Sequence, residues 1–281
     1  MSAPFVLASF EGTIHWNCAE AQTGQPISAP DRADPLAPLD QQRRIVDLIT
    51  AVDAVREAAL QVHALASTAR QAISRALLSD DRWETVPLSR VALVNPKEPP
   101  LQEESPFAPM NAVVAGERWI RYFEPRGDRN GARGRAGDIF FARITPCLEN
   151  GKVAQVPPTV ERCGGSTEFI VLRAGPELDP DYLYCWASSD TTRERAEALM
   201  SGTTGRQRVS SNDLSALPVP IPPREDQSRI AEVILAANAV GAEVQKETIC
   251  VMELRTVLLG STLSGEHSIA ASYDAFLKAV G

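Results

Sequence analysis

Six arginines fall within eighteen residues, at Arg118, Arg121, Arg126, Arg129, Arg133 and Arg135, against only Glu124 and Asp128. The stretch carries a net charge of +4 inside a chain whose formal net charge is −8. Guanidinium forks at this density suit phosphate or carboxylate oxygens, although a solvated loop has the same composition. A second stretch, Ser201-Gly-Thr-Thr-Gly-Arg-Gln-Arg208, sets hydroxyl and backbone donors beside cations. Thr204, Arg206, Gln207 and Arg208 are its candidate contacts. Small donors beside arginines suit phosphate oxygens, and Arg and Gln also match the major-groove edges of guanine and adenine. A loop joining a globule to a helix could look similar. The chemistry in question is polyanion binding, not bond breaking.

No catalytic constellation stands beside it. Of the base-cradling motif of a DNA amino-methyltransferase, Asp179-Pro-Asp-Tyr182 has the wrong third residue and Asn95-Pro-Lys97 lacks the aromatic. Gly202-Thr-Thr-Gly205 has neither dinucleotide-loop spacing nor a phosphate-loop lysine. Asn150-Gly-Lys152 places an amide where a metal nuclease needs an acid. His15, His63 and His267 are isolated, and the five cysteines form no C-x-x-C or Cys/His cluster. No catalytic residue, metal or cofactor is expected. Tyr182, Tyr184 and Trp186 read as the packing face of a helix.

The elements that must position these residues are announced by an internal repeat. Pro35, Pro38, Gln42, Arg44, Ile45, Ile49, Ala51, Ala54, Val55, Arg70, Leu78 and Ser79 return, 185 positions later and without a gap, as Pro220, Pro223, Gln227, Arg229, Ile230, Ile234, Ala236, Ala239, Val240, Arg255, Leu263 and Ser264. Within the first copy, Ile45, Leu48, Val52, Val55, Ala59, Val62, Ala66, Ala69, Ile73 and Ala76 alternate in steps of three and four, the seam of a coiled coil. Neither Gly nor Pro interrupts 39–79, so one long helix is predicted, N-capped by Asp40 behind Pro38. The second copy carries the stripe Ile230, Val233, Ala237, Val240, Val244, Glu247, Val251, Leu254, Leu258, Ser261, weakened at Glu247 and Ser261. Two such helices should pack on each other.

Between the copies the pattern shortens. Val86–Leu88, Val91–Val94, Val113–Val114, Asp138–Arg143, Lys152–Val156 and Glu168–Leu172 read as strands; Asp179–Ser188 and Thr192–Met200 read as helices. The expected organisation is an arm or linker at 1–34, a long helical region at 35–80, a mixed globule at 81–217, a second helical region at 218–265 and a tail at 266–281. The fold class is therefore α+β, one mixed globular domain flanked by two long helices. A composition 44% apolar and 23% charged is that of a globular protein. No apolar run predicts a membrane span and no basic-then-apolar leader is indicated; the odd, scattered cysteines make a reducing cytoplasm the simplest compartment.

The words GDIFFARITPCLENGKVA (137–154), GSTEFIVLR (165–173), DPDYLYCW (179–186), LMSGTTGRQRVSSNDLSALPVPIPP (199–223) and EDQSRIAEVILAANAV (225–240) resemble, in this order and spacing, the specificity subunits of type I restriction–modification systems. The resemblance covers most of 81–264. It implies a target recognition domain that reads half of a split site in double-stranded DNA, and two conserved helical regions packed as an antiparallel coiled-coil spacer. It also implies, as partners, modification (methyltransferase) subunits and a restriction (helicase/nuclease) subunit. The full family pattern alternates two recognition domains with two helical regions. Here only one such domain is present, so completing a bipartite site calls for a second copy or another specificity chain. A helical scaffold that no longer reads DNA is the other reading.

Overall fold

A computed structural model describes residues 9–10, 13–14, 38–79, 82–203, 205–264, 269–270 and 272. A two-stranded pair, β1 (Ser9–Phe10) with β2 (Thr13–Ile14), comes first. Helix α1 (Leu39–Leu78) is followed by β3 (Glu84–Pro87), the short helix α2 (Leu88–Val91) and β4 (Ala92–Val94). Strands β5 (Pro106–Ala108), β6 (Glu124–Pro125), β7 (Ala132–Arg135), β8 (Ile139–Ala142), β9 (Val153–Gln155), β10 (Arg162–Gly165) and β11 (Phe169–Ala174) build the globule. Helices α3 (Pro180–Ala187), α4 (Asp190–Ala198) and α5 (Ser211–Ser215), then β12 (Pro218–Ile221), lead into helix α6 (Arg224–Leu263).

The long helices are 40 residues each and obey the same 185-residue offset at both ends. At ~1.5 Å per residue each is ~60 Å long. Pro38 and Pro223 occupy the N-cap positions with nearly identical backbone angles, and neither contributes a side-chain cap. Asp40 is thus not the cap: it lies in the first turn, as do Glu225 and Asp226, where a carboxylate favours the positive end of the helix dipole. Asp53 meets Arg255 and Thr248 meets Ala59, so one number falls as the other rises and the pair is antiparallel.

Half of the predicted seam is correct. Ile45, Val52, Ala59, Ala66 and Ile73, with their counterparts Ile230, Ala237, Val244, Val251 and Leu258, are half-buried or buried. The alternate positions, apart from the half-buried Leu48 and Ser261, are shifted by one. Ile49, Arg56, His63, Arg70 and Leu77 turn inward, matched by Ile234, Gly241, Thr248, Arg255 and Thr262. The expected Val55, Val62, Val233, Val240 and Leu254 are each at least half exposed. The cause lies at the globule end, where Ile230, Ala231 and Ile234 are buried in the main core and fix the rotation of α6. The step of three and four survives, but Arg56, His63, Arg70, Thr248, Arg255 and Thr262 share its interior with the aliphatic side chains.

The globule has two four-stranded sheets, ordered β4-β11-β8-β9 and β6-β5-β10-β7. One core joins the first sheet to α3, α5 and the inner ends of both long helices; the other lies between the sheets around Phe140, Phe169 and Val171. Val113–Val114 is not a strand, although Val113 is wholly buried. Tyr182, Tyr184 and Trp186 are buried, with Tyr182 and Trp186 donating to the carbonyls of Pro220 and Pro218. Burial pushes the Cys163 and Cys185 thiols up to about 12, so both stay protonated.

Strands β7 and β10 place glycines where the Phe140 ring lies. A Cβ on Gly165 would come within 2.4 Å of that ring, and one on Gly134 within 2.5 Å. Because Phe140 is fully buried it cannot retreat. Gly165→Val should therefore destabilise the globule by about 3 kcal/mol through overpacking; a melting temperature within a degree of wild type would contradict this account of the slot.

Candidate nucleic-acid interface

The arginine stretch divides into four groups. Arg118 is internal: its Nε donates to Gln155 Oε1 at 2.9 Å, its terminal nitrogen to Asp181, and its plane lies 4.3 Å from the Trp119 ring. Arg126 and Arg129 organise a loop. Arg126 donates to the carbonyls of Gly127 and Arg129, while Arg129 donates to Arg126 O and Pro125 O, pairs with Glu124 and covers the Phe107 ring. Arg121 is exposed but bound to Glu117 one helical turn's distance away in sequence.

Arg133 and Arg135 are different. They alternate with the buried Gly134 on edge strand β7, so both side chains stand on the exposed face. Arg133 makes one hydrogen bond, to Glu98 O at 3.2 Å. The Arg135 guanidinium makes no hydrogen bond or ion pair among the described residues, and it shares a hollow with Arg162, its cross-strand neighbour on β10. Sequence reasoning missed Arg162, because nothing in Arg-Cys-Gly-Gly announces a strand.

Asp138 holds this edge in place. It is 1% exposed; its Oδ1 accepts from Arg173 Nε at 2.7 Å, and its Oδ2 accepts from Arg173 at 2.6 Å and from the backbone N–H of Arg135 at 2.8 Å. Arg173 also donates to Glu98 at 2.6 Å. These carboxylates hold the Arg173 guanidinium well above its usual range, the hydrogen bonding to Asp138 being the largest cause.

The second stretch forms a closed loop. Ser201 and Arg208 exchange backbone hydrogen bonds of 3.0 and 2.9 Å, and Thr145 N donates to Gln207 O. Arg208, expected as a contact, instead grips Glu168 with three donor contacts of 2.6–3.2 Å. Arg206 and Gln207 extend from this base, exposed, their side chains without a hydrogen bond among the described residues. Thr204 lies outside the described residues. The hydrogen bond from Arg208 holds the Glu168 carboxyl below the usual carboxylate range. A depressed carboxylate contributes stability that is present above its unfolded pKa and lost as pH falls through the folded value. Acidification below the carboxylate range, or Glu168→Gln at neutral pH, should accordingly lower the amide protection factors of Ser201 and Arg208 about tenfold; unchanged protection would mean that the backbone bridge alone closes the loop.

No family model matches the chain. Over 158 residues it is 32% identical to the specificity subunit of the Escherichia coli type I restriction enzyme EcoAI, covering 53% of this chain and 27% of that one. Over 190 residues it is 26% identical to the specificity subunit of EcoEI, covering 65% and 32%. Over these spans the chain is similar in sequence to type I specificity subunits. The matched span is less than a third of either relative's own length. Among solved structures, the HsdS subunit from Thermoanaerobacter tengcongensis aligns over 82% of this chain and 60% of that one, with TM-score 0.51 and 18% identity. The S subunit from M. genitalium aligns over 79% and 60%, with TM-score 0.51 and 12% identity. At these identities the likeness is one of fold, and the fold is the expected one: a mixed globule between two long, paired helices.

Proposed function

We propose that this chain is a DNA-specificity subunit of a type I restriction–modification complex, non-catalytic in itself, whose globule binds one half of a split duplex site. The observation that carries the reading is the sequence similarity to type I specificity subunits over 158 and 190 residues. The unpaired guanidiniums of Arg135 and Arg206, and the lightly held Arg133, are consistent with phosphate contacts, while Gln207 beside Arg206 offers base-edge chemistry. Arg118, Arg126 and Arg129 support the surface from within, and Arg121 and Arg208 reach DNA only by releasing Glu117 and Glu168. Thr204 remains a candidate by its place in the loop.

The repeat supports the need for a second recognition domain. At the globule end Leu78 and Ala231 are 6% and 2% exposed, whereas their counterparts Leu263 and Val46 at the far end are both 46% exposed. The same apolar positions thus lie covered at one end and open at the other, as expected if a second recognition domain packs there. The rows Val55–Val62 and Val233–Val240–Leu254 lie on one face of an antiparallel pair and suit docking of modification subunits. A restriction subunit would join through them. Among the described residues no helix is long and apolar enough to cross a membrane, and a cytoplasmic complex is part of the proposal.

The test is co-expression with the cognate modification subunit, followed by methylation mapping of the host genome. Methylation at a bipartite sequence that disappears without this chain is the expected result. Complex formation without any sequence-dependent methylation would instead favour a helical scaffold that no longer reads DNA.

A further inference from the structure

The 185-residue offset that relates the two helices also relates their interior rungs. Asp53 and Arg255 occupy one rung, with Arg255 donating to both carboxylate oxygens, one of them at 3.1 Å, and Arg56 adding a contact to Asp53 at 3.2 Å. The Arg255 hydrogen bond is the largest cause holding the Asp53 carboxyl below its ordinary range. Shifting both residues by the offset gives Asn238 and Arg70. Antiparallel register sets this pair on the equivalent rung near the globule, where a Cβ on Gly241 would lie 3.8 Å from Arg70 Cδ. Here the carboxylate is replaced by an amide. Asn238 Oδ1 is buried without a hydrogen-bond partner, and Arg70 makes no hydrogen bond or ion pair among the described residues.

The two ends of the helix pair are therefore fastened differently. Near the globule the helices are held by what they carry: β3 pairs with β12, and Ile230, Ala231, Ile234 and Leu78 are buried in the main core. At the far end no strand pairing or main-core burial fastens the helices among the described residues, Arg56, Arg255 and Thr262 interrupt the apolar seam, and Leu39, Val46 and Leu263 are exposed. A directional, charge-assisted pair is what a weakly apolar seam needs to hold a unique geometry.

We propose that Asp53 and Arg255 are positioning residues: they hold the far end of the helix pair closed and so fix where the second recognition unit sits relative to the first. This deepens the reading of the chain as a specificity subunit and rests on it. Consequently the pair determines how many base pairs separate the two halves of the recognised site, without touching DNA.

The experiment uses the full chain with its modification subunit and three variants: Asp53→Asn, Asn238→Asp, and both together. Asp53→Asn should speed amide exchange about tenfold over 42–56 and 252–262 while leaving 66–78 and 227–241 unchanged. Methylation should then spread to sites whose gap differs by a base pair from the wild-type gap. Adding Asn238→Asp, which gives Arg70 a carboxylate, should recover the melting temperature but neither the far-end protection nor the single gap. Recovery of all three would reduce the pair to general stability and overturn the proposal, as would far-end exchange unchanged by Asp53→Asn. Absence of methylation with the wild-type chain would overturn the specificity-subunit reading instead, while the exchange data would still judge the clamp.

Discussion

Asp138→Ala is expected to cost the globule about 3 kcal/mol or more, read as a shift in the denaturation midpoint at unchanged slope. Removing the carboxylate leaves Arg173, whose side chain is 13% exposed, with Glu98 as its remaining charged partner. It also removes the acceptor for the backbone N–H of Arg135, so the turn that presents that side chain loosens. Glu98 moderates the loss, because the guanidinium is not abandoned altogether. Asp138→Asn keeps the shape and one acceptor and should cost less than the alanine variant. A loss below 1 kcal/mol for Asp138→Ala would show that water or side-chain movement replaces the network, and the account of a rigid arginine-bearing edge would fail.

Converting Arg133, Arg135 and Arg206 together to alanine should reduce duplex affinity of the assembled complex by about 100- to 1000-fold at low salt. It should also lower the slope of log affinity against log salt by roughly one for each phosphate contact removed. Stability should hardly change, since the three side chains are exposed and, among the described residues, only Arg133 makes a side-chain hydrogen bond, to Glu98 O. Arg121→Gln is the matched control, removing a charge already satisfied by Glu117; binding within about twofold of wild type is expected. Titrations monitored by fluorescence anisotropy at several salt concentrations separate these outcomes. An unchanged slope in the triple variant would remove the β7 edge and the 206 tip from the interface.

The long helices were legible because a 185-residue repeat and an unbroken heptad leave little else for 39–78 and 224–263 to be. Their facing was only half legible. Hydrophobicity alone prefers Val55 and Val62 inside over Arg56 and His63, but rotation is imposed by the burial of Ile234 at the globule. Long basic side chains then bury their stems in the seam and keep their heads polar. Strands β7 and β10 escaped because their inward positions are glycines, and only the Phe140 ring explains why. β12 escaped because Pro-Val-Pro-Ile reads as a linker, yet proline is tolerated in a two-stranded ladder. At the candidate interface the count of arginines was legible, their commitments were not. Asp181 lies 63 residues from Arg118, and Glu168 lies 40 from Arg208.

The chain enters the globule through β3 and leaves through β12, and these strands lie side by side, with Val86 opposite Val219 and Thr85 opposite Pro220. A body suspended from one double-stranded stalk can be exchanged without lengthening, bending or re-registering the shafts on either side. Any foreign globule whose ends lie one strand spacing apart, and whose base presents an apolar patch to Leu78, Ile230 and Ile234, meets the mechanical requirement for grafting at this stalk. The molecule is thus organised as a handle with a replaceable head.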